Sequence, residues 1–81
     1  MSGQVSGEAT TYHALRDDED GTVLALFRLR READGLYLEA YRPGRGWVAD
    51  QRAADVFHNG QDYELLDEAE AARLAAGMEA R

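Results

Sequence analysis

The stretch Thr22-Val23-Leu24-Ala25-Leu26-Phe27-Arg28-Leu29-Arg30, followed by Ala33-Asp34-Gly35 and then Leu36-Tyr37-Leu38-Glu39-Ala40-Tyr41-Arg42, reads as two strands joined by a tight turn. Side chains alternate between the two faces of a strand. Val23, Ala25, Phe27 and Leu29 therefore share one face of the first strand, the expected core, and Leu24, Leu26, Arg28 and Arg30 share the other. That second face is apolar only in its first half, so Leu24 and Leu26 call for cover by a helix edge or a second subunit. In the second strand Leu36, Leu38 and Ala40 point inward, which leaves Tyr37 and Tyr41 on the opposite face with Glu39 between them. Asp-Gly supplies the positive φ that the turn needs.

The same signals continue outward in both directions. Thr10 to Arg16 is rich in β-formers and ends in Asp17-Asp18-Glu19-Asp20-Gly21, a strand and then a turn. Pro43-Gly44-Arg45-Gly46 is a further turn, and Trp47-Val48-Ala49 a short strand after it. Three turns at short spacing predict an antiparallel meander of three to four strands, at about 10–16, 22–30, 36–42 and 47–49. Asp50 is a good N-cap for a short helix over about 51–58, with Ala53, Val56 and Phe57 on one face and Asn59-Gly60 as the stop. Tyr63 to Leu66 reads either as a last short strand or as an extended arm. Asp67 with Glu70 three positions on matches a capping box, and a helix over about 68–79 follows, with Ala71, Leu74, Ala75 and Met78 as its apolar side and Gly77 weakening its last turn. The predicted fold class is α+β, a small antiparallel meander with both helices packed on the sheet. Residues 1–9 read as a disordered lead-in and 10–81 as one small domain.

Composition narrows the function. The chain has 81 residues, of which 44% are hydrophobic, and a formal charge of -7. Alanine is the commonest of those hydrophobic residues, so the large apolar groups suffice for one modest core, with stability marginal or shared with a partner subunit. Cys is absent, which removes disulfides, thiolate metal sites and thiol nucleophiles. No apolar run approaches the length of a membrane span, and the first nine residues lack the basic start and apolar centre of a secretory signal, so the expected location is cytoplasmic. The charge opposes binding to nucleic acid and to anionic membranes. Every basic residue is Arg, and Lys and Ile are both missing, a pattern of GC-rich coding rather than of phosphate recognition. Arg28, Arg30 and Arg31 accordingly read as solvated strand-end residues rather than as a basic strip.

No catalytic constellation can be assembled from the residue types at hand. Aligning Gly21 with the invariant glycine of a calcium loop puts Arg16 and Phe27 where carboxylates are required, so the acidic turn reads as a solvated turn. Gly44-Arg45-Gly46 lacks the Lys and Ser or Thr of a phosphate loop. His13 and His58 have no partner at a useful spacing, and the serines, Ser2 and Ser6, lie in the lead-in. The expectation is a protein that is not an enzyme, with no cofactor and no metal site.

The aromatic residues point elsewhere. Tyr37 and Tyr41 on one sheet face, with Leu24, Leu26 and Arg28 beside them and Trp47 after the glycine turn, form a candidate partner-binding patch. The runs Tyr12 to Asp17, Val23 to Arg28, Gly46 to Asp50 and Leu66 to Ala71 are similar to short, acidic, uncharacterised proteins of GC-rich bacteria and their phages. That resemblance implies a cytoplasmic accessory role and no activity. The expected function is an acidic protein-interaction module, of immunity, antitoxin, adaptor or regulator type, which the charge of -7 would steer toward a basic protein partner. The alternative is a structural domain that self-associates into a homodimer, with Val23 to Leu29 as the strand edge that pairs.

Overall fold

A computed structural model of the chain describes residues 9–80. The expected disordered lead-in falls on residues outside these, except for Ala9, which opens the first strand. Five strands, β1 (Ala9–Arg16), β2 (Val23–Glu32), β3 (Gly35–Arg42), β4 (Gly46–Ala49) and β5 (Glu64–Leu66), form one sheet in the order β4-β3-β2-β1-β5, with every pairing antiparallel. The meander has the four strands that the turns predict, and β5 is the addition to it. Three residues are too few to show a periodicity, and β5 exists because it pairs with Tyr12, His13 and Ala14 on the far side of β1.

Local chemistry explains the turns. At the β1–β2 turn the Asp17 carboxylate accepts from the Glu19 N–H at 2.7 Å and the Asp20 carboxylate from the Thr22 N–H at 2.9 Å, so these two acids close the turn. Gly21, at φ 74°, occupies the left-handed region there. In the β3–β4 turn Gly44 and Gly46 both have positive φ, on either side of Arg45.

Because β4 and β5 lie on opposite edges of the sheet, the segment between them must cross one face. It does so as a 3-10 turn (Gln51–Ala54) that runs into helix α1 (Asp55–His58), in place of the single helix predicted over 51–58. Asp50 is the cap, its carboxylate accepting from the Arg52 N–H at 2.9 Å. The crossing segment lays Ala53 and Val56 on Phe27, Leu29 and Ala40, with Ala25, Leu38 and Tyr63 packed around them. Phe57, expected to face in, is instead 56% exposed, because α1 has a single turn and directs Val56 rather than Phe57 at the sheet centre; Leu36 lies on the expected face but, at the start of β3 beside the turn, is 42% exposed.

The second face is covered by helix α2 (Glu68–Glu79), whose bounds agree with the sequence reading. The Asp67 carboxylate accepts from the Glu70 N–H at 2.7 Å, a cap worth about 1 kcal/mol. Ala71 and Ala75 rest on Ala14, Leu26 and Leu66, with Leu74 and Met78 alongside. The sheet is thus a middle layer with a core on each face, and β2 contributes to both. Its position at the centre of the sheet, hydrogen-bonded to β1 and β3, also removes Val23 to Leu29 as a free edge for dimerisation. Among the described residues no helix is long and apolar enough to cross a membrane.

A candidate interaction surface on the open sheet face

Helix α2 cannot cover its whole face. Twelve residues make a rod about 18 Å long and about 10 Å wide, whereas the ten residues of β2 alone extend about 33 Å. The helix lies over Ala14 and Leu26, and the other end of the same face carries Arg28 and Arg30.

Strand register decides what these arginines meet. Arg28 is opposite Tyr12 on β1 and Glu39 on β3, Arg30 is opposite Tyr37, and Tyr41 is opposite Trp47 on β4. Glu39 is the hub. Its carboxylate accepts from Arg28 Nε at 2.7 Å through Oε1 and from Arg30 Nη2 at 3.0 Å through Oε2, and its side chain is only 12% exposed. The Arg30 hydrogen bond, with Arg28 assisting and partial burial opposing, holds the Glu39 carboxyl below its ordinary range. Arg30 also pairs with Glu32.

Each guanidinium then lies over a ring, Arg28 at 4.6 Å from the Trp47 centroid and Arg30 at 4.7 Å from that of Tyr37. Trp47 packs edge-on against Tyr41 at 5.4 Å and tilted against Tyr12 at 5.8 Å. The result is a ladder running Tyr37, Arg30, Glu39, Arg28, Trp47, in which every rung is held by its neighbours. The phenols at its ends are tied to acids. Tyr37 donates to Asp34 at 2.8 Å, and Tyr41 donates to Glu79 at the end of α2, which also accepts from the Gly44 N–H at 2.9 Å. These carboxylates raise both phenol pKa values.

Four residues of the sequence-derived patch, Tyr37, Tyr41, Arg28 and Trp47, belong to this one surface. Leu26 does not. It is 1% exposed beneath α2 and is the largest fully buried side chain described. Leu24 is 57% exposed but lies four residues along β2 from Arg28, about 13 Å away, with the buried Leu26 between them. Sequence reasoning missed Arg30, Glu39 and Tyr12. The signal for Arg30 and Glu39 was available in the Asp34-Gly35 turn, since pairing Glu32 with Gly35 puts Arg30 opposite Tyr37 and Arg28 opposite Glu39, whereas Tyr12 depends on the β1–β2 register.

The opposite face offers a shallow cleft of about 570 Å³ between the crossing segment and the sheet, where Asp55 and His58 meet Phe27 and Tyr63. Asp55 is occupied, accepting from the Tyr63 hydroxyl and from Asn59 Nδ2 at 2.7 Å each. That contact pushes the Tyr63 phenol up to about 12. His13 bonds to Thr11 Oγ1 at 3.0 Å, and partial burial lowers its pKa. Among the described residues no group of three or more acids and histidines is placed to hold a metal.

No protein-family model, no characterised protein and no solved structure matches this chain. Any functional reading therefore rests on the surface itself.

Proposed function

We propose that the chain is a non-catalytic protein-interaction module that engages a protein partner through the uncovered end of the α2 face. What supports this reading is the ladder from Tyr37 to Trp47. Arg, Tyr and Trp are the residue types that dominate binding hot spots. Here they are held in place by cation–π, edge-on and ion-pair contacts before any partner arrives. Pre-ordering of that kind removes part of the side-chain entropy that binding would otherwise consume. The arginines are matched by Glu39 and Glu32, and Asp34 and Glu79 beside the ladder leave the surface mildly acidic, in keeping with a chain of net charge -7. The partner is accordingly a basic protein with a flat apolar and polar contact area, drawn in by the overall charge and recognised by the rings.

The test is quantitative affinity capture from the native lysate with the wild-type chain, Tyr37→Ala, Arg30→Ala and Phe57→Asp in parallel. The expected result is a protein retained by the wild type and by Phe57→Asp but depleted by the two ladder variants, all four chains having the same circular dichroism spectrum. Equal retention by all four would remove the ladder from the binding surface.

A further inference from the structure

The two cores of the fold have no residue in common. The core under the crossing segment centres on Phe27, Leu29, Ala40, Ala53 and Val56, and the core under α2 on Ala14, Leu26, Leu66, Ala71 and Ala75. Everything that the second core receives from outside β1–β4 comes from β5 and α2, which follow one another in the chain with Asp67 alone between them. Lifting β5 and α2 together would therefore empty the second core and take nothing from the first.

We propose that β5 and α2 form one detachable unit, which lifts from the sheet while β1–β4 and the crossing segment stay folded. Its attachment is slight at every point. β5 pairs only with Tyr12, His13 and Ala14 of β1. The buried side chains of α2 are Ala71 and Ala75, which remove little apolar surface from water. Among the described residues, the polar side-chain ties of the unit to the rest of the chain are Arg16 to Glu64, at 2.6 Å, and Glu79 to the Tyr41 hydroxyl and the Gly44 N–H. The first is an exposed ion pair, of the kind that contributes little. The second holds a helix end that its own residues do not hold, since the last turn has no basic residue and Glu79 puts a carboxylate at the negative end of the helix dipole. A terminal unit with a core of its own and ties this weak has the features of a segment that opens below the cost of complete unfolding. Opening bares Tyr12, Ala14 and Leu26 beside Arg28 and Trp47, so the exposed face lengthens along β2 from the ladder. The unit then acts as a cover whose position sets how much of that face a partner meets, a consequence that rests on the ladder's being the binding surface, as the opening itself does not.

The experiment is native-state hydrogen exchange on the full chain, followed residue by residue by nuclear magnetic resonance in rising, sub-denaturing urea. Twelve residues are too few to stay helical off the sheet, so a lifted α2 gives up its amide protons. The amides of Arg73, Ala75 and Ala76 should share one opening free energy with the β5 amides that bond to β1, and should exchange about tenfold or more faster than those of Phe27 and Leu29. Their urea dependence should be finite but shallower, because opening exposes only part of the surface that unfolding does. Val56→Ala removes packing from the first core alone, so exchange at Phe27 and Leu29 should quicken about tenfold while that of α2 stays unchanged. Leu66→Ala should quicken both sets, because complete unfolding breaks up the second core as well. A single exchange free energy and urea slope for helix and sheet overturns the proposal. So does helix exchange that ignores urea, the mark of fraying, or a Val56→Ala variant in which α2 quickens as much as β2. The measurement contains no partner, so such a failure would leave the ladder reading standing.

Discussion

Leu24 and Leu26 are two residues apart on the same strand and are chemically identical, yet truncating them should have opposite consequences. Leu26 is 1% exposed and Leu24 57%. Around Leu26 the packing partners include Ala14, Ala71 and Ala75, whose side chains are single methyl groups with no other rotamer to adopt. A void left by Leu26→Ala would therefore stay largely unfilled, which places its cost in the upper part of the range for buried leucines, about 3–5 kcal/mol. A domain of 81 residues has a total stability of about 4–12 kcal/mol. Leu26→Ala should thus remove about a quarter of the stability or more, whereas Leu24→Ala should stay within about 0.5 kcal/mol of the wild type. Urea unfolding followed by the fluorescence of Trp47, the chain's one tryptophan, measures both. With a slope of about 1 kcal/mol per molar urea, the Leu26→Ala midpoint should fall by about 3 M or more. Comparable small shifts for the two variants would refute the placement of α2 over the sheet, because Ala71 and Ala75 of that helix belong to the cluster that buries Leu26.

Other expectations concern the polar contacts. Hydrogen bonds from Arg52, with Arg42 adding to them, hold the Asp50 carboxyl well below the usual carboxylate range. Its contribution is therefore complete above the unfolded pKa, near 4, and is lost as pH falls further toward the folded value. Asp50→Asn should flatten that part of the acid limb in a stability–pH profile, and Asp50→Ala should cost about 1 kcal/mol at neutral pH through loss of the cap. Alkaline absorbance titration should show a tyrosine step near the raised value of about 12 that Tyr63→Phe deletes. The stability tied to that neutral phenol is present below pH ~10 and declines as pH rises through the folded value. Glu79→Ala should free the end of α2 from Tyr41 and Gly44, seen as faster amide exchange at Gly44 and over the last helical turn. Phe27→Ala, which empties the other core, should cost about 3 kcal/mol or more.

Much of the architecture was legible because its signals are local. The Asp-Gly and Gly-Arg-Gly turns, the alternation in β2 and β3 and the Asp67 cap each act over a few residues, and the elements they predict occur close to their expected bounds. Phe57 shows where such reasoning stops. Helical spacing places it with Ala53 and Val56, but the first of these lies in a 3-10 turn, whose tighter winding shifts the phase of the residues after it. The candidate surface was half legible. Residue type and strand parity pick out Tyr37, Tyr41, Arg28 and Trp47, whereas Arg30 reads as a solvated strand-end residue because its partner, Glu39, belongs to another strand.

Sequence alone therefore determined the elements and the turns between the first four strands, since each is set by backbone preferences and side-chain periods that need no distant partner. It determined the α+β class for the same reason. Tertiary structure decided the rest. Alternation along β2 marks two faces but cannot say which of two leucines a helix will reach, because that depends on the length of α2 and on the point at which β5 releases it across the sheet. It likewise cannot say that β5 pairs with β1, that two arginines share one carboxylate, or that Phe57 is left exposed. The arginine–carboxylate contact follows from the register of one hairpin, and the others arise only when the segment after β4 crosses the sheet and the chain closes on its other edge.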